Sequence, residues 1–262
     1  MNILVTNDDG VHAPGLLALA LSLEPLGKVI IVAPDRNWSA SGHSKTLHRP
    51  LRVKSVNLSD GVQAYACDGA PSDCVALVML GLLPEPIDLV VTGINPNANL
   101  GHDATYSGTV TAAMEACIWG VPAIAMSVDA PEYLEGPIDY TGAAWVASKV
   151  AEMVIKNGLP KEIILNVNVP YLPVEQLTSF HITRQGLRIY QDALLRREDP
   201  RGQPYYWIGG EAPTGVREPG TDIGDLADGF VTITPIQLDL TAHQFIEPLS
   251  QWDWLGEENH QE

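Results

Sequence analysis

Five short runs are apolar almost throughout: NILVT at 2–6, KVIIVAP at 28–34, IDLVVTG at 87–93, PAIAMSV at 122–128 and EIILNVNVP at 162–170. A strand with one face in water alternates apolar and polar residues, so runs without that alternation must be buried on both faces. Helix-like stretches separate them. In PGLLALALSLEPLG, Pro14 suits a first helical turn and Gly27 an exit; in APSDCVALVMLGLL, Pro71 and Ser72 are start signals. GTVTAAMEACIWG at 108–120 and YTGAAWVASKVAEMVIKNG read as two further helices, and VQAYACDG as one more strand. Strands covered on both sides by intervening helices make a doubly wound, mainly parallel α/β sheet.

After about residue 170 the helices vanish. FHITRQGLRIY, YYWIGG and GFVTITPIQLDL read as strands joined by turns rich in Pro, Gly and Asp. The expected organisation is therefore a core over 1–170, a β-rich C-terminal appendage over 171–247 and a polar tail over 248–262. No internal repeat is visible.

A chain of 262 residues can bury a large core. With 32 acidic against 15 basic side chains, a net charge of −17, it repels a polyanion or an anionic membrane surface. Nucleic-acid polymers and membranes are thus excluded as partners, whereas a small phosphorylated molecule is not, because a bound cation reverses the field locally. The three cysteines, Cys67, Cys74 and Cys117, have no CxxC spacing and suggest neither a disulfide framework nor a thiolate zinc site. The first residues show no signal-peptide pattern, and the longest apolar run, CVALVMLGLL, is too short to span a bilayer. A cytoplasmic location is expected.

In such a sheet, ligands bind beyond the carboxyl ends of the strands, where the strand order reverses. The first strand ends in Asn7-Asp8-Asp9-Gly10, which is ordinary turn chemistry if solvated. At the end of a buried strand, however, two adjacent carboxylates call for a hard cation, whose preferred ligands are oxygens. Two other strand ends also carry polar loops, APDRNWSASGHSKT and TGINPNANLGHDATYSGT. The second of these closes on Ser107-Gly108-Thr109 at a helix N-terminus. That is either a simple N-cap or a seat for an anion such as phosphate. Carboxylates, neutral oxygens and an anion seat on one rim describe metal-assisted phosphoryl chemistry.

Other chemistries lack their motifs. GVHAPGLL has the glycine spacing of a P-loop, but Leu16 and Leu17 replace the required Lys and Ser/Thr. There is no GxGxxG after the first strand, no GxSxG and no HExxH, and His12, His43, His102 and His243 are scattered. A covalent aspartyl-phosphate route would favour DxD spacing over the DD found here.

The segments NILVTNDDGVHAPG, VAPDRNWSASGHS, GAPSDCV, TGIN, NLGHDATYSGTVTAAMEA and TPIQLDLTAH strongly resemble the SurE (survival protein E) family of metal-dependent nucleotidases, from the first residues to about His243. The resemblance implies a Rossmann-like core and hydrolysis of nucleoside 5′- and 3′-monophosphates, with some members acting on short polyphosphate. It implies one divalent cation (Mg²⁺, Mn²⁺ or similar) held by Asp8, Asp9, Ser39 and Asn95. It also implies a homodimer or homotetramer with an exchanged C-terminal hairpin. Apolar residues of that region, among them Phe180, Ile182, Tyr205, Tyr206, Trp207 and Phe230, would then be buried against a second subunit. One departure is Asn97, which stands where the family usually has glycine in its GIN-x-G-x-N motif. Asn is the other residue best able to take a left-handed backbone.

On this reading Asn99, Ser107, Gly108 and Thr109 hold the phosphate, and Asp103 or His243 protonates the leaving alkoxide. The alternative is a non-catalytic module that binds metal and nucleotide as a sensor.

Overall fold

The computed structural model describes residues 1–254; GEENHQE at 256–262, within the expected tail, lies outside the described residues. In chain order the elements are β1 (Asn2–Thr6), α1 (Pro14–Leu23), β2 (Lys28–Pro34), β3 (Val53–Asn57), β4 (Gln63–Cys67), α2 (Pro71–Met79), β5 (Leu89–Asn95), α3 (Gly108–Ile118) and β6 (Ala123–Asp129). There follow α4 (Thr141–Asn157), β7 (Ile163–Pro170), β8 (Phe180–Ile182), β9 (Arg188–Glu198), β10 (Pro204–Gly215), α5 (Asp222–Ala227), β11 (Val231–Gln237) and α6 (Ile246–Ser250).

The central sheet has nine strands in the order β3-β4-β2-β1-β5-β6-β7-β11-β8. β1 is parallel to both β2 and β5, and the chain winds outward in opposite directions from that pair, so the switch point lies between β1 and β5. Successive side chains of a strand point to opposite faces, and both faces are dry. Ile3 and Val5 pack in one core with Leu16, Leu19 and Val150 of α1 and α4, while Leu4 packs in the other with Val75 and Val110 of α2 and α3. This is why the strand runs lack alternation.

β3 was not foreseen as a strand. Its residues VKSVN are mostly exposed at the sheet edge, antiparallel to β4, and carry little of the apolar signal of a buried strand.

The expected appendage is divided. β11 pairs antiparallel with β7 and parallel with β8, so both join the central sheet. Val231, Thr232 and Thr234 are buried there, which supplies the physical reason. Only β9 and β10 form a separate two-stranded sheet. FHITRQGLRIY is two strands, β8 and β9, and helices do not vanish: α5 is capped by Thr221, whose hydroxyl accepts from the Gly224 N–H at 3.0 Å. Among the described residues no helix is long and apolar enough to cross a membrane.

Candidate active site

Because β2, β1 and β5 are parallel neighbours, the three polar loops leave the same edge of the sheet. Asn7 shapes the first loop: its Nδ2 donates to the Gly10 carbonyl at 3.1 Å and its Oδ1 accepts from the Gly10 N–H at 3.2 Å. Gly10 has φ +106°, a conformation that side chains rarely adopt. The turn so formed presents Asp8, which is 3% exposed, and Asp9, which is partly buried.

The other two loops close on this pair. Thr109, in the first turn of α3, donates its hydroxyl to Asp8 Oδ1 at 2.6 Å. Gly108 lies so near that a Cβ there would come within 2.7 Å of the Asp8 Cβ and 2.9 Å of its Oδ2, so glycine permits the approach. Thr92 Oγ1 donates to the Thr109 carbonyl at 2.7 Å, fixing that turn to β5. From the second loop, the Trp38 N–H donates to the Asp8 carbonyl at 2.7 Å, and Asn37 Nδ2 reaches Asp9 Oδ1 at 3.5 Å. Ser39 follows directly, exposed, with its N–H on Asn37 Oδ1 at 2.7 Å. Asn95 ends β5; its Nδ2 donates to the Asn97 carbonyl at 2.5 Å, which leaves Oδ1 as the free acceptor.

The electrostatics are those of a carboxylate pair without a cationic partner among the described residues. Among the described residues no Lys, Arg or His lies within ion-pair distance of Asp8 or Asp9. Burial, and then the charge of Asp8, push the Asp9 carboxyl up to about 7. Among the described residues no three His, Cys, Asp or Glu side chains cluster as a metal-binding group. The donor set is instead two carboxylates with hydroxyl and amide oxygens, which suits a hard divalent cation and not zinc in a thiolate or imidazole site.

The remaining expected residues have defined places in the structure. Asp103 Oδ2 accepts from Arg188 Nε at 2.7 Å and Oδ1 from the Tyr190 hydroxyl at 2.6 Å, so both oxygens serve as acceptors tying the 3₁₀ turn Gly101–Thr105 to β9. These contacts make Asp103 an anchor for β9. Asn99 is 9% exposed and belongs to a buried amide network: its N–H donates to Asn168 Oδ1 at 2.7 Å and its Nδ2 to Ser127 Oγ at 2.8 Å. Ser107 is the N-cap of α3, its Oγ accepting from the Val110 N–H at 3.1 Å. Asn97 does not take the left-handed conformation, since Ala40 and Glu162 alone do so among described non-glycine residues, and the loop therefore accepts Asn at 97 without strain. His243 pairs with Asp239 at 2.7 Å on the C-terminal segment.

Sequence reasoning missed Asn7, Thr92 and Tyr140. Burial, then Asp9 and Tyr171, push the Tyr140 phenol up to about 12, which sets it beside the acidic pair. A turn-forming Asn directly before the acidic pair and three residues before Gly10 was a visible signal; Tyr140, 131 positions along the chain from Asp9, gave none.

The fold and site together define a doubly wound α/β protein with an acidic, oxygen-rich site at the switch point of its sheet. The model of the family described as Survival protein SurE matches residues 3–192. The chain belongs to that family. It is 52% identical over 254 residues to a protein of Herpetosiphon aurantiacus named 5′-nucleotidase SurE, covering 97% of this chain and 99% of the relative. A protein of the same name from Chloroflexus aggregans is 49% identical, with 97% and 100% covered. The crystal structure of the SurE protein from Aquifex aeolicus superposes with a TM-score of 0.81 at 39% identity, covering 95% of this chain and 98% of that one.

Proposed function

We propose that this chain is a metal-dependent 5′-nucleotidase that hydrolyses nucleoside 5′- and 3′-monophosphates to nucleoside and phosphate, with short polyphosphate as a further substrate. The observation that carries the reading is the pair Asp8 and Asp9, set against the first turn of α3 with no basic side chain among the described residues to neutralise it. The names of the relatives supply the substrate class.

One divalent cation, Mg²⁺ or Mn²⁺, would be held by the carboxylates of Asp8 and Asp9, the hydroxyl of Ser39 and Oδ1 of Asn95. The chemistry such a cation would supply there is polarisation of a phosphoryl oxygen and a lower pKa for bound water. The chain's own groups do the rest. First-turn amides of α3 have no intrahelical acceptor, so the N–H groups of Gly108 and Thr109, with the Ser107 hydroxyl, bind phosphate oxygens as charge builds on them. Thr109 fixes the direction of the Asp8 carboxylate. The nucleoside is assigned to a cavity of about 660 Å³ lined by Val11, His12, Tyr140 and Trp145, of which Tyr140 feels the charge of Asp9. Proton delivery to the leaving alkoxide is assigned to Asp103 or to His243, whose ring Asp239 orients.

The assembly proposed is a homodimer or homotetramer that exchanges the β9–β10 hairpin. Leu194, Tyr206, Trp207 and Ile208 are each more than half exposed on it, and a two-stranded hairpin is marginal by itself. Phe230 is not part of that surface, since it stacks on His181 with ring centroids 4.1 Å apart. A cytoplasmic location accords with the three free cysteines.

The deciding experiment is phosphate release from a panel of nucleoside 5′- and 3′-monophosphates with Mn²⁺ or Mg²⁺. Turnover is expected; binding of metal and nucleotide without turnover would make the protein a sensor module.

A further inference from the structure

Residues 35–52 run from β2 to β3 without helix or strand, and a loop of that length moves unless something holds it. Two buried carboxylates do so. Glu115, on α3 and 3% exposed, accepts from His43 Nε2 at 2.9 Å on Oε2 and from Lys45 Nζ at 2.7 Å on Oε1, with Trp119 Nε1 at 2.9 Å. Immediately after, Thr46 gives its N–H to Asp73 Oδ1 at 2.9 Å and its hydroxyl to Oδ2 at 2.7 Å. Between the loop's free end and these grips, the Gly42 N–H donates to the Tyr106 carbonyl at 3.0 Å and the Gly42 carbonyl accepts from Thr111 Oγ1 at 3.0 Å.

Burial alone would raise the Glu115 carboxyl, but the bonds from His43, Lys45 and Trp119 outweigh it and hold it down at about 2. An ionised carboxylate in the interior is tolerated only while it is paired, so lifting the loop away would strip Glu115 of both cationic partners and leave it the Trp119 N–H alone. The same α3 that carries Glu115 starts with Gly108 and Thr109 against Asp8. A single rigid helix thus sets both the anion-binding turn and the loop that bears Ser39.

We propose that Glu115 is a positioning residue for cation binding: through His43 and Lys45 it holds residues 35–52 so that Ser39 stands at the Asp8–Asp9 pair. The inference rests on the metal-dependent reading above. Its competitor is a plain fold-stabilising ion pair, which would move thermal stability and leave metal affinity alone.

The test uses the full chain as wild type, Glu115→Gln, Lys45→Met and Lys45→Arg. Mn²⁺ affinity is read directly from the electron paramagnetic resonance of the free ion, beside thermal unfolding and kcat at saturating Mn²⁺. Glu115→Gln should bind Mn²⁺ about tenfold more weakly, the usual scale for loss of a group supporting a metal ligand, with kcat at saturation little changed. Lys45→Met should weaken binding in the same direction and Lys45→Arg should restore it. Because the Lys45 side chain is 45% exposed, its variants decide the matter if Glu115→Gln does not fold. Unchanged Mn²⁺ affinity in the variants, with or without a lower Tm, overturns the positioning role while the metal-dependent reading stands. Failure of the wild type to bind Mn²⁺ overturns that reading, and the positioning role with it.

Discussion

Thr109 donates its hydroxyl to Oδ1 of Asp8 at 2.6 Å, joining a helix and a strand-end turn that are 101 positions apart in the chain. Thr109→Val keeps the shape and removes the donor, leaving a buried carboxylate oxygen unpaired. The metal-free protein should lose about 1–3 kcal/mol, measured by urea denaturation in EDTA, and Thr109→Ser should recover most of it.

Asp8→Asn and Asp9→Asn should each remove most phosphatase activity while the circular dichroism spectrum is retained, because a neutral amide binds a hard divalent cation far more weakly than a carboxylate. Near-normal phosphate release from either variant at limiting metal would mean that the residue is not a ligand.

Asp9 also makes a pH signature. Unfolded, its carboxyl titrates near 3.8; folded and metal-free, burial and then Asp8 raise it to about 7. The folded state therefore holds a proton that the unfolded chain has released, and stability falls as pH rises from about 4 to about 7, by roughly 4 kcal/mol at most. Denaturation in EDTA across that range should show a steeper decline for wild type than for Asp9→Asn. Equal slopes would remove the assignment.

EDTA should inactivate the enzyme, and Mg²⁺ or Mn²⁺ should restore it, as an all-oxygen donor set requires. Full phosphate release from a thoroughly chelated preparation would contradict the proposed cation.

Leu194 and Ile208 lie directly opposite each other in the β9–β10 hairpin and are 69% and 83% exposed. If the hairpin is an exchanged arm, L194D combined with I208D should reduce the particle to a single chain by light scattering and leave the core's spectrum intact. A well-folded wild-type monomer at micromolar concentration would refute the assembly.

The helices and strands of the core that were legible are those largely buried or amphipathic over several turns: β1, β2, β4, β5, β6, β7 and α1 to α4. β3 escaped because Lys54, Ser55 and Asn57 are exposed and give no apolar run. β11 was visible as a strand, but nothing local in GFVTITPIQLDL distinguishes an antiparallel insertion beside β7 from a separate sheet. At the site, Asp8, Asp9 and the 107–109 turn could be brought together by the topology of a parallel sheet alone. The contacts of Asp103 were not legible, since its partners Arg188 and Tyr190 lie 85 and 87 positions away. The grip of Glu115 on His43 and Lys45 was hidden for the same reason.

The place of β1 in the sheet has a consequence for synthesis. Its hydrogen-bonding edges are taken by residues 28–34 on one side and 89–95 on the other. A nascent chain must therefore emerge through Asn95 before the strand preceding Asp8 is closed on both edges, and until then one apolar edge is open to any strand that can pair with it. A ribosome stalled before that point should hold a segment needing chaperone cover, although the aspartates themselves have already emerged.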